Sequence, residues 1–87
     1  MPARLDELDY PQLRAAVAAL HERGRIDEVR HVAMAEAEVF LCRSQRRRFN
    51  VKFDLAYGAL LEPVDEFAPQ ALARIEQELI AAAVDAV

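Results

Sequence analysis

The 87-residue chain has no tryptophan and no threonine, and only one serine, one cysteine and two glycines. A lone cysteine, Cys42, excludes an internal disulfide framework, and no Cys/His spacing suggests a zinc site. With Ser44 the only aliphatic hydroxyl, no nucleophile can be given a base and an orienting acid, so no catalytic residue is assigned and the chain reads as a non-enzyme. Two isolated glycines, Gly24 and Gly58, cannot build a glycine-rich phosphate loop. Long apolar runs are also missing. Ala15–Leu20 and Leu79–Val84 have six residues each, against the roughly 20 needed to cross a bilayer. The N-terminus turns acidic at Asp6 and Glu7 without an apolar signal core, so a soluble, cytoplasmic protein with no membrane partner is expected.

What the chain does contain is alanine and unevenly placed charge. Seventeen alanines inflate a 54% hydrophobic content; they favour helix but bury little area. A core this lean suggests stabilisation by association, and a homodimer is expected. Arg43, Arg46, Arg47, Arg48 and Lys52 put five of the eleven cations into ten residues, against a net charge of −4 for the whole chain. One sign of charge concentrated at one place focuses field and marks a contact surface.

The apolar spacing reads as helix. Asp9 caps a first helix opened by Tyr10-Pro11, with Leu13, Ala16, Val17 and Leu20 on one stripe and Gly24 as its stop. A second helix is expected from about Ile26 to Ser44. Ile26, Val29, Ala33, Ala37 and Phe40 lie on one side of it, and Val32, Ala35, Val39 and Cys42 on the other. Residues 49–57 alternate as a strand would, but the same residues also carry a helical stripe. No strand partner is evident elsewhere, which favours helix. Glu62–Asp65 reads as a loop, and a last helix opens at Ala68-Pro69, its apolar arc running from Leu72 through Ile80 and Val84 to Ala86 and Val87. The expected fold is a single all-α domain over residues 1–87, an antiparallel bundle of three to four helices. The first two helices would form an antiparallel hairpin. Arg47-Arg48-Phe49 and Ala56-Tyr57-Gly58-Ala59-Leu60-Leu61 resemble a helix of small HEPN-type bundles, which implies a helical segment and carries over no catalytic residue.

The expected function is non-catalytic protein binding by a regulator or adaptor of the inhibitor, chaperone or antitoxin-like kind. Arg43, Arg46, Arg47, Arg48 and Lys52 would clamp an acidic protein partner, while Val32, Val39, Ile80 and Val84 supply apolar contact to that partner or to a second copy. The alternative is an RNA or single-stranded nucleic-acid module, with the same cations on phosphates and Phe49 or Phe53 on bases. Glu28 and His31 have the Glu-x-x-His spacing of helical di-iron sites, but on a helix they project away from the main apolar face. No metal or cofactor is expected.

Overall fold

In a computed structural model, which describes residues 4–85, the fold is α+β. The expected all-α bundle is overturned. A short 3-10 turn, Leu5–Glu7, precedes helix α1 (Tyr10–Glu22), four strands and helix α2 (Pro69–Asp85). The strands β1 (Glu28–Ala33), β2 (Ala37–Ser44), β3 (Arg47–Asp54) and β4 (Gly58–Pro63) form one antiparallel meander in the order β1-β2-β3-β4. The expected second helix is therefore β1 and β2, and the expected helical hairpin does not form. The segment that resembles a HEPN helix is β3, a turn and β4. Ala86 and Val87 lie outside the described residues.

The two helical ends follow the local chemistry. Asp9 accepts from the Gln12 amide at 2.8 Å, while the Gln12 side chain accepts from the Asp9 amide at 2.9 Å. This reciprocal box satisfies two orphan donors at the start of α1. Leu13, Ala16, Val17 and Leu20 are buried, as the stripe requires. Beyond α1, Gly24 is left-handed at φ +76°.

The two apolar lines assigned to one helix belong to two strands and to two faces of a sheet. Side chains alternate along a strand, and directly opposed residues of neighbouring strands point to the same side. Val29 pairs with Cys42, and Cys42 with Phe49; Phe40 pairs with Val51, and Val51 with Leu61. These residues join the buried helix residues, including Leu79, Ala82 and Ala83, in a single core on one side of the sheet. Tyr10 stacks on Phe40 with ring centroids 6.3 Å apart, and Phe67 meets Phe49 edge-on at 6.1 Å.

Turns close the meander with little glycine. Gln45 and Arg46 have φ of 51° and 69°, the paired left-handed conformations of a two-residue hairpin turn. Between β3 and β4, Asp54 Oδ1 accepts from the Ala56 and Tyr57 amides at 2.8 and 3.1 Å, and Gly58 completes the turn at φ +83°. Glu62 and Pro63 complete β4, so the loop expected from Glu62 begins only after Pro63.

Three substitutions test this packing. Phe49 is fully buried, so Phe49→Ala is expected to cost about 3–5 kcal/mol in urea unfolding. A Cβ on Gly58 would lie 3.0 Å from the Asp6 carbonyl, whereas one on Gly24 would meet nothing within 4 Å. Gly24→Ala is expected to cost about 1–2 kcal/mol for its backbone conformation alone, and Gly58→Ala more.

Candidate functional site

Both helices cover the same side of the sheet, and among the described residues no element covers the other. The register arranges that uncovered face in rows. Glu28, Arg43 and Arg48 form the first; Arg30, Leu41, Asn50 and Glu62 the second; Val32, Val39, Lys52 and Leu60 the third. Val32 and Val39 lie side by side with Leu41 next along β2, and Lys52 separates this apolar group from Leu60. Val39 is only 7% exposed, and Arg30, Arg43 and Arg48 flank the Leu41 end, with Glu28 and Glu62 on the same face. Leu41 is 38% exposed, with Arg30 and Asn50 opposite it on the neighbouring strands. A concavity of about 440 Å3 opens over the first two rows, lined by Glu28, Arg30, Leu41, Arg43, Arg48 and Asn50, with Val64 at its border.

The charges on this face are unevenly engaged. Arg48 Nε and Nη2 donate to the Asp65 carboxylate at 3.1 and 3.0 Å, and its backbone amide donates to the same carboxylate at 2.8 Å. The amides of Val64 and Asp65 donate back to the Arg48 carbonyl, so the loop after β4 is fastened to the start of β3. Hydrogen bonds from the Arg48 side chain and backbone hold the Asp65 carboxyl below its usual range. Arg43 has a longer contact to Glu28 at 3.4 Å. Among the described residues Arg30 and Lys52 have no ion-pair partner, which leaves them available to an external carboxylate.

The structure brings together Arg43, Arg48, Lys52, Val32 and Val39 of the residues singled out from sequence. It does not bring the others there. Arg46 sits in the hairpin turn, and Arg47 has the opposite strand parity from Arg48 and points to the helix side. Ile80 is buried in the core, and Val84, half-buried, belongs to the same helix. Arg30, Leu41 and Leu60 complete the face but were not singled out. Their signal lay in the alternation Glu28-Val29-Arg30-His31-Val32 and in the register with Arg43 and Lys52.

Other expectations are decided by the same parity. Phe49 is fully buried and Phe53 packs edge-on against Tyr10 at 5.8 Å, so neither is presented beside the cations. Glu28 lies on the uncovered face, and His31 on the helix side, where Nε2 pairs with Glu38 Oε2 at 2.7 Å and the ring stacks on Phe40 at 5.0 Å. The Glu-x-x-His spacing therefore splits across the sheet, and no group of three metal-ligating side chains occurs among the described residues. His21 Nδ1 contacts the Ile26 carbonyl oxygen at 2.9 Å, which ties the end of α1 to the approach to β1. No helix among the described residues is long and apolar enough to cross a membrane.

Against family models, curated proteins and solved structures, the chain shows no match.

Burial pushes the Cys42 thiol up to about 12, slightly offset by the Val51 backbone. Thiolate is the reactive form, so Cys42 should resist alkylation at pH 8 and react at a rate set by unfolding. The check is alkylation followed by mass spectrometry across a urea series, with labelling expected to appear at the unfolding midpoint. For Asp65, whose folded pKa is lowered, the stabilising contribution is present above the unfolded carboxylate value and is lost as pH falls through the folded one. Asp65→Asn is accordingly expected to flatten the pH dependence of stability in the acid range.

Proposed function

We propose that the chain is a non-catalytic binding module that engages an acidic protein segment on the uncovered sheet face. One observation carries this reading: Val32, Val39 and Leu41 adjoin, with Leu60 beyond Lys52, on a face with no covering layer among the described residues, and Arg30, Arg43 and Arg48 flank the Leu41 end. A bare sheet face with an apolar centre gains from burial, at about 25 cal/mol per Å2 of apolar area. Arginine at the border of such a patch pairs with carboxylates through two parallel hydrogen bonds, which fixes orientation. A partner with acidic side chains flanking apolar ones matches both features. A regulator, inhibitor or chaperone-like adaptor works through a surface of this kind.

Nucleic acid fits the same face less well. Sequence-tolerant strand binding relies on aromatic platforms beside the cations. The paired strand residues on this face include no aromatic side chain.

The test uses Arg30→Glu and Leu41→Glu, both at exposed positions, with Arg14→Glu on exposed α1 surface as control. In affinity capture from the native source, an acidic protein held by the wild type and by Arg14→Glu is expected to be lost with either face variant. Titration of the identified partner should show a weakening of about tenfold or more, as for loss of a charge-assisted pair. Capture unaffected by both face variants would overturn the reading. Retention of nucleic acid that is released steeply with salt would put the alternative in its place.

A further inference from the structure

A second cluster of cations lies at the hairpin end of the sheet, on the helix side and away from the face described above. Arg25 from the connection after α1, Arg47 at the start of β3 and Arg74 on α2 line one concavity of about 80 Å3. Ser44 borders it, and Phe67 and Ile75 form an apolar wall. Three sequence-distant elements thus contribute an arginine each to the lining of one small space.

Of the three, only Arg25 is paired with a carboxylate among the described residues. Glu78 is engaged with Arg25, whose Nη2 donates to Oε1 at 2.7 Å. Asp27 accepts from the Gln45 backbone amide at 3.2 Å. Neither carboxylate lines the concavity, and among the described residues Arg47 and Arg74 have no ion-pair partner. Like charges brought together repel, and a bound anion with several acceptor oxygens turns that repulsion into attraction. A carboxylate offers two oxygens in one plane. A tetrahedral phosphoryl group offers three outward oxygens, which suits donors arriving from different directions on β3 and α2.

We propose that this concavity binds the phosphoryl group of a small phosphate monoester, with Arg47 and Arg74 as its principal ligands and the ester substituent against Phe67 and Ile75. Arg25, its charge held by Glu78, contributes shape to the rim. The site is independent of the sheet-face reading, since it lies on the opposite side and shares no residue with it.

The experiment is an amide NMR titration of the full chain at constant ionic strength, with inorganic phosphate in one arm and phenyl phosphate in the other. Saturable shifts confined to residues near 44–47 and 71–75 are expected, with phenyl phosphate the tighter ligand. Equal binding in the two arms would retain the site and identify the free anion as its ligand. Arg74→Ala places the best helix former on an exposed helix position and is expected to weaken binding about tenfold while leaving the unfolding midpoint unchanged. Arg47→Ala is expected to do the same. Shifts that do not saturate, that spread equally to Arg30, Arg43 and Arg48, or that persist in Arg74→Ala would overturn the assignment.

Discussion

The pairing of β2 with β3 is the constraint from which the rest of the molecule follows. A two-residue turn at Gln45 and Arg46 sets Ser44 opposite Arg47, and every later pair is then fixed. Because strand side chains alternate, that register sends Phe40, Cys42, Phe49 and Val51 to the helices and Val39, Leu41, Arg43, Arg48 and Lys52 to the other side. A slip of one residue would exchange the two sets. It would place arginines against Leu13 and Leu79, a burial of unpaired charge that costs far more than the hairpin gains. Core and candidate binding face are therefore two outcomes of one register.

Charge is organised along the same axis. The hairpin end gathers Arg43, Arg47 and Arg48 from the strands, Arg46 from the turn, Arg25 from the connection after α1 and Arg74 from α2, with Asp27, Glu28, Asp65 and Glu78 among them. The opposite end carries Asp6, Glu7, Glu36 and Asp54 around the other turns. What is a single run of cations in the sequence is divided by strand parity into an outward set and a helix-side set, with Arg46 between them. The two sets meet different surroundings. Outward arginines flank aliphatic side chains on an open face, and helix-side arginines border a small concavity against α2. That division is why a flat protein contact suits the first set and a compact anion the second.

Both helices could be read from sequence because their signals are local. Asp9, Pro11 and Gln12 mark the start of α1, Gly24 its end, and Pro69 the start of α2. The strands could not be read because their signals are relational. Val32 and Val39 looked like one helical line because seven residues are close to two helical turns, whereas they share a face here because the turn between Ala33 and Ala37 folds them opposite one another. The turn at Gln45-Arg46 has no glycine or asparagine to announce two left-handed residues. With β1 and β2 mistaken for one helix, the alternation in residues 49–57 had no partner and was read as helix as well; one hidden turn thus removed four strands. Of the candidate site, Arg43, Arg48, Lys52, Val32 and Val39 were legible because charge and branching were visible. Arg30, Leu41 and Leu60 were not, because only the register makes them neighbours.

The measurement that bears most directly on this account is a nuclear Overhauser experiment on the β2–β3 pairing. The Met34 amide donates to the Ala37 carbonyl at 2.8 Å, so odd-numbered residues of β2 bond toward β1. Leu41–Asn50 and Val39–Lys52 are then the closely spaced, non-hydrogen-bonded pairs between β2 and β3. Strong contacts between the α-protons of Leu41 and Asn50, and of Val39 and Lys52, are the expected result. Sequential amide–amide contacts running unbroken through residues 37–54, without those cross-strand pairs, would contradict the sheet and with it the face that Arg43 and Arg48 share.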